Sequence, residues 1–128
     1  MKWRLVPTTV ILALLTTQTG SAQLPNLGDL MQQKLEHAQN LLEAVVLGNH
    51  TSVERFANEL TLLSEASTWT SLRTLEYLQY ASSFRESSKS LVEQAQAQDS
   101  ESVAFAYSEL VTTCVQCHRH VRGARRAN

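Results

Sequence analysis

Proline and glycine are scarce in this chain of 128 residues, which contains two prolines and four glycines. No proline follows Pro25, so the rest of the chain lacks the residue that most often ends a helix. Apolar residues recur at helical spacing, and signals for strands are weak. The chain also lacks a glycine-rich phosphate loop, a carboxylate pair at catalytic spacing and a Ser/His/Asp pattern. We therefore predict an all-α protein that is not an enzyme.

The chain has no long hydrophobic run. The apolar segment from Val10 to Leu15 is far shorter than the roughly 20 residues that span a bilayer. It follows Lys2 and Arg4 and precedes small residues at 20–22, the pattern of a cleaved secretory signal. We expect residues 1–22 to be removed and 23–128 to form one periplasmic or secreted domain without a membrane span. The alternative is an uncleaved anchor.

Cleavage would make the protein mildly acidic. Loss of Lys2 and Arg4 takes the net charge from −1 to about −3, which gives no reason to expect nucleic-acid binding. The exception is a basic tail, formed by Arg119, His120, Arg122, Arg125 and Arg126. Cations at the end of a helix complement its dipole, and the tail is also a candidate docking patch for a partner protein.

Four amphipathic helices with short connections are predicted, and they suggest an antiparallel up-down-up-down bundle. The first begins after the N-cap Asn26 and ends near Gly48. The second begins at Thr51, which forms a capping box with Glu54 and precedes the polar stretch SEASTWTSLRT. The third covers 75–97, and Asp99 or Ser100 caps the fourth. The predicted inner face of the first helix is Leu27, Leu30, Met31, Leu35, Ala38, Leu42 and Val45, and that of the second is Val53, Phe56, Ala57, Leu60 and Leu63. The predicted inner face of the third helix is Leu78, Ala81, Phe84, Leu91, Val92 and Ala95, and that of the fourth is Val103, Ala106, Leu110, Cys114 and Cys117.

The two cysteines of the chain lie three residues apart in the segment CVQCH, residues 114–118. A disulfide would close a very small loop and would leave His118 unexplained. A zinc site built from Cys114, Cys117, His118 and His120 would crowd four adjacent ligands, whereas structural zinc sites use separated pairs. The third interpretation, which we favour, is covalent haem attachment, because C-x-x-C-H is its signature. Two thiols on one helical face each form a thioether with a porphyrin vinyl group, and the next histidine binds the iron.

A signal peptide, a domain of this length, four helices and C-x-x-C-H in the last helix resemble the cytochrome c′ family. The resemblance covers the architecture of residues 23–128, but in literal motif it rests on CVQCH and, more weakly, on the start of the first helix. It implies one haem c per chain, thioethers at Cys114 and Cys117, and His118 as the proximal iron ligand. It also implies electron transfer, with an iron–sulfur bond to Met31 as in low-spin relatives. The alternative is a five-coordinate haem protein that binds a small gas such as nitric oxide or carbon monoxide.

Met31 is the methionine that remains after signal cleavage, and it lies on the apolar face of the first helix. Buried methionines are most often gap-filling core residues; the family context favours ligation. If Met31 is not a ligand, Leu27, Leu30 or Leu35 would cover the distal face. The resemblance also implies that the chain can pair as a homodimer through its first two helices.

Other residues are weaker candidates around a haem. His37 would be a distal ligand only if it turned inward, and His50 and His120 are expected at the surface. The aromatic candidates for packing against the porphyrin, which are equally expected as core residues, are Trp69, Tyr77, Tyr80 and Phe84. The candidate donors to a haem propionate are Gln32, Lys34 and Arg85.

Overall fold

The computed structural model describes residues 26–70 and 74–127, and every element in these ranges is an α-helix. The predicted signal peptide, residues 1–22, and the predicted start at Gln23 lie outside the described residues. The helices are α1 (Leu27–Val46), α2 (His50–Thr70), α3 (Leu75–Gln96) and α4 (Ser100–Ala127). The all-α prediction is confirmed for this part of the chain. No helix within it is long and apolar enough to cross a membrane.

Side-chain caps stand at the starts of three helices, of which those of α1 and α4 were predicted from the sequence. The Asn26 side chain accepts a hydrogen bond from the amide of Asp29 at 3.0 Å, and Thr74 caps α3 in the same way. Asp99 accepts from the amide of Ser102 at 3.1 Å and therefore caps α4. These bonds satisfy amides that have no partner within their own helix.

The second helix differs from its prediction at both ends. It begins at His50, and Asn49 is the cap, because its side chain accepts from the amide of Ser52 at 3.1 Å. The predicted capping box at Thr51 is therefore wrong. The helix also continues through most of the polar stretch, where hydroxyls donate to carbonyls of their own helix. Ser67 and Thr68 both donate to the carbonyl of Ser64, at 3.0 and 2.9 Å.

Two helices end in left-handed turns that satisfy their last carbonyls. After α1, the amide of Gly48 donates to Val45 at 3.1 Å, and the amide of Asn49 donates to Ala44 at 2.9 Å. This pairing is the Schellman motif, and Gly48 has the φ of +63° that it needs. The predicted C′ role of Gly48 is confirmed. After α3 the same turn forms with Gln98, a residue with a side chain, at φ +56°.

The core runs between the helices as one apolar cluster. Its members are Leu41, Ala44, Val53, Ala57, Leu60, Phe84, Leu91, Ala95, Val103, Ala106 and Leu110. The predicted inner faces of α2, α3 and α4 supply most of it. The predicted face of α1 is wrong in its second half, since Leu42 is 46 % exposed while Leu41 is fully buried. Leu35 is also exposed, at 52 %.

The helices pack as a four-helix bundle. α1 packs along α2, α2 along α3 and α3 along α4, whereas α1 and α4 meet over a shorter stretch. Three hydrogen bonds fix which helix ends are neighbours. Gln96 near the end of α3 donates to Glu54 near the start of α2 at 3.0 Å. Nε2 of His50 and Oγ of Ser100 are 3.1 Å apart, and these are the first residues of α2 and α4. Tyr107 on α4 donates to the Ala38 carbonyl on α1 at 3.1 Å.

Candidate functional site

A cavity of about 370 Å³ opens between the helices near the start of α1 and the second half of α4. Cavities of roughly 300–1,000 Å³ are typical of sites for small molecules and cofactors. Its walls are largely apolar. They are formed by Gly28, Met31, Gln32, Lys34, Leu35 and Ala38 of α1; Ser64 of α2; Tyr77, Tyr80, Ala81 and Phe84 of α3; and Thr113, Cys114, Cys117 and His118 of α4.

α4 places both cysteines on the cavity wall by continuing its buried stripe. Cys114 and Cys117 follow Leu110 at i+4 and i+7, so they lie on the face that packs into the core. Both thiols are free and half-buried, and Cys114 contacts the apolar cluster. His118 lines the cavity from the next position and is exposed at its edge.

Burial controls the protonation of the two thiols. Loss of solvent raises the pKa of Cys114 and of Cys117 above the ordinary value, and the positive charge of Lys34 opposes this shift in both. The thiols are therefore neutral at neutral pH, which makes them weaker nucleophiles than thiolates.

Met31 reaches the same cavity from α1. It is half-buried, one residue after the fully packed Leu30, and its neighbour Leu35 lines the cavity one turn further on. Met31 and the CVQCH segment lie about 85 residues apart in the chain. The packing of the first helix against the last brings their side chains to one cavity.

The remaining histidines are engaged elsewhere. His37 faces α2, where its Nδ1 is 2.9 Å from Oε2 of Glu59. His50 contacts Ser100 at the start of α4. The ring of His120 lies 5.4 Å from the ring of Tyr80 on α3.

The four residues considered as zinc ligands do not gather around one point. Within residues 26–70 and 74–127, no three His, Cys, Asp or Glu side chains converge as they would around a metal ion. His120 instead lies against α3.

The aromatic and polar candidates divide between the cavity and its surroundings. Tyr77, Tyr80 and Phe84 line it, as do Gln32 and Lys34. The side chain of Trp69 lies outside the described part of the chain. Arg85 is half-buried, and its charge acts on Lys34.

Lys34 is the most unusual polar group in the cavity wall. Its Nζ donates to the hydroxyl of Ser67 at 2.9 Å and lies 4.9 Å from the centre of the Phe84 ring. Burial lowers the pKa of Lys34 from 10.5 to about 8, with a smaller contribution in the same direction from Arg85. The two cysteines oppose this change only when their thiols are ionised.

The sequence analysis missed Ser64, Gly28 and Thr113 as lining residues. Ser64 could have been found, since Ala57, Leu60, Ser64 and Ser67 follow one another at helical spacing. The stripe of α2 thus changes from large to small side chains where the cavity opens. A buried serine occupies less volume than a leucine and leaves room for a bound group.

No protein-family model, curated protein or solved structure matches the chain. The resemblance to the cytochrome c′ family stays a prediction drawn from CVQCH, its position and the four helices.

Proposed function

We propose that this chain is an exported c-type cytochrome of the cytochrome c′ kind, which carries one covalently attached haem c and transfers electrons. The observation that carries the proposal is the cavity, because Met31, Cys114, Cys117 and His118 all line it. Two thiols, an imidazole and a thioether around an apolar space form a donor set that fits a c-type haem. Few other cofactors use this combination of side chains.

The proposed topology is an antiparallel up-down-up-down bundle. The bond from Gln96 to Glu54 joins the end of α3 to the start of α2, as antiparallel neighbours require. The contact between His50 and Ser100 joins two helix starts, as expected for helices that run in the same direction. Connections of only a few residues between the helices favour the same arrangement.

Cys114 and Cys117 would hold the haem by thioethers to its two vinyl groups. Their spacing of three residues places both sulfur atoms on the cavity side of α4. His118 would bind the iron through its imidazole, and Met31 would bind it through its sulfur. When bound, the haem iron supplies reversible one-electron oxidation and reduction. Ligation by a histidine and a methionine would raise its reduction potential, which suits an electron carrier.

The surface around His118 suits an encounter with a redox partner protein. His118 is exposed at the cavity edge, and Arg119, Arg122, Arg125 and Arg126 of the basic tail are exposed beyond it. No acidic residue follows Glu109 in the chain. The basic tail would therefore attract an acidic partner to the cavity edge, more weakly as salt is added. Export to the periplasm or beyond accords with the predicted signal.

The test is an absorption spectrum of the full chain exported by a host that attaches c-type haem. We expect a low-spin spectrum, oxidised and reduced, that carbon monoxide does not change. Met31→Ala removes the sulfur ligand, so this variant becomes high-spin and binds carbon monoxide. Leu35→Ala is the matched control from the same wall of the cavity, and it stays low-spin. A chain without haem refutes the proposal.

A second candidate is a five-coordinate haem protein that binds a small gas. Leu35 favours it, because this apolar side chain lines the cavity beside Met31 and can cover an open iron position. A high-spin spectrum of the unaltered protein that shifts with carbon monoxide would select this candidate over electron transfer.

A further inference from the structure

Lys34 is a charged group in an apolar cavity wall, and no carboxylate in the described ranges forms an ion pair with it. Its contacts are the hydroxyl of Ser67 and the face of Phe84. The ion pairs in the described part of the chain are His37 with Glu59 and Arg55 with Glu59, and neither includes Lys34. Removing an ammonium from water is costly unless an opposite charge compensates it.

Ser64 adds a second unmatched polar group to the same cavity. Its side chain is completely buried, and its hydroxyl has no hydrogen-bond partner among the described residues. A buried hydroxyl without a partner is unfavourable, because it has lost its hydrogen bonds to water. Ser64 and Ser67 lie on one face of α2, since they are three residues apart. The hydroxyl that lacks a partner is thus near the one that Lys34 contacts.

We propose that Lys34 and Ser64 form an anion subsite inside the cavity that holds one carboxylate group. The ammonium has three hydrogens, of which Ser67 receives one, and the Ser64 hydroxyl can donate another hydrogen bond. A carboxylate accepts both and supplies the missing negative charge. It would thereby satisfy the two polar groups that the fold leaves unmatched.

The groups around Lys34 on the other helices do not provide this charge. The titratable groups of the cavity and its rim are Cys114, Cys117 and His118 of α4 and Tyr77, Tyr80 and Arg85 of α3. Burial keeps both thiols neutral, and Arg85 is a cation that acts against the charge of Lys34. Since no group among residues 26–70 and 74–127 provides the negative charge, we assign it to a bound molecule.

Two sources can provide the carboxylate. One is a propionate of the attached haem, and in this form the inference rests on the proposed function. The other is a free small carboxylic acid, which requires no haem. The subsite chemistry is the same in both.

The experiment measures the pKa of Lys34 by NMR of its ε-methylene group in the exported full chain, after small acids are removed. Lys34 and Lys89 are the lysines that follow the predicted signal, so Lys89, which is exposed on α3, is an internal reference. The titration is repeated with saturating acetate, against chloride at equal ionic strength. The absorbance of the same sample reports haem separately.

A propionate in the subsite keeps the pKa of Lys34 near or above its ordinary 10.5 without added acetate. Ser64→Ala then lowers this pKa by at least one unit. A free acid as the source gives a pKa near 8 that acetate raises by one unit or more, and Ser64→Ala abolishes the response. Ser88→Ala is the control, because Ser88 is equally buried but donates to the Phe84 carbonyl.

The proposal is overturned if acetate leaves a pKa near 8 unchanged, or if Ser64→Ala alters neither the pKa nor the acetate response. A response to acetate in a chain without haem would support the subsite while refuting the proposed cytochrome. The two proposals can therefore fail independently.

Discussion

Leu41 and Leu42 provide a direct test of how α1 faces the bundle. Leu41 is completely buried in the apolar cluster, and Leu42 is 46 % exposed. Leu→Ala removes three carbons, each contributing about 0.8 kcal/mol when buried, or roughly 2.4 kcal/mol. The space left behind adds to this loss, and buried leucines typically lose about 2.7–5 kcal/mol in all. We expect Leu41→Ala to lower the free energy of unfolding by about 3–4 kcal/mol.

Leu42→Ala is the matched variant. About half of the transfer contribution applies, and alanine is the better helix former, so we expect a loss below about 1 kcal/mol. Urea unfolding of the exported protein, followed by the helical circular dichroism signal, gives both values, provided that the slope with urea is unchanged. Equal losses, or a larger loss for Leu42→Ala, would refute the orientation of α1 described above.

Two further predictions concern the helix ends. Asn49→Ala should lower the free energy of unfolding by about 1 kcal/mol, because it removes the acceptor for the Ser52 amide, while Thr51→Ala should change it by less than about 0.5 kcal/mol. The reverse order would restore Thr51 as the cap. Gln98→Gly should raise the free energy of unfolding by about 0.5–1 kcal/mol, since glycine adopts a φ of +56° without strain. Urea unfolding measures both, and a destabilised Gln98→Gly would contradict the left-handed turn.

The spacing of apolar residues correctly predicted the number of helices and the inner faces of α2, α3 and α4. It failed in α1, where leucine or valine occupies 41, 42, 45, 46 and 47. These apolar side chains cover an arc wider than one packed stripe needs, so spacing alone does not select the inner direction. The contacts with α2 and α4 select Leu41 and Ala44.

The sequence predicted only some of the residues that line the cavity. CVQCH and Met31 are visible in the sequence because their residue types are rare and chemically specific. Ser64 is not, because serine is common in loops and the stretch around it is polar. Its position at the cavity follows from the continuation of α2 to Thr70, through a stretch whose polar residues had suggested a connection between helices.

The short contact between α1 and α4 has a consequence for how the cavity is reached. Met31 lies on the first helix and the two cysteines lie on the last, so this wall closes only when α1 and α4 pack together. It is also the least extensive of the contacts between neighbouring helices. Local opening favours the parts of a fold with the fewest buried contacts. Separating the helices at this wall therefore breaks fewer contacts than separating them at either interface of α3.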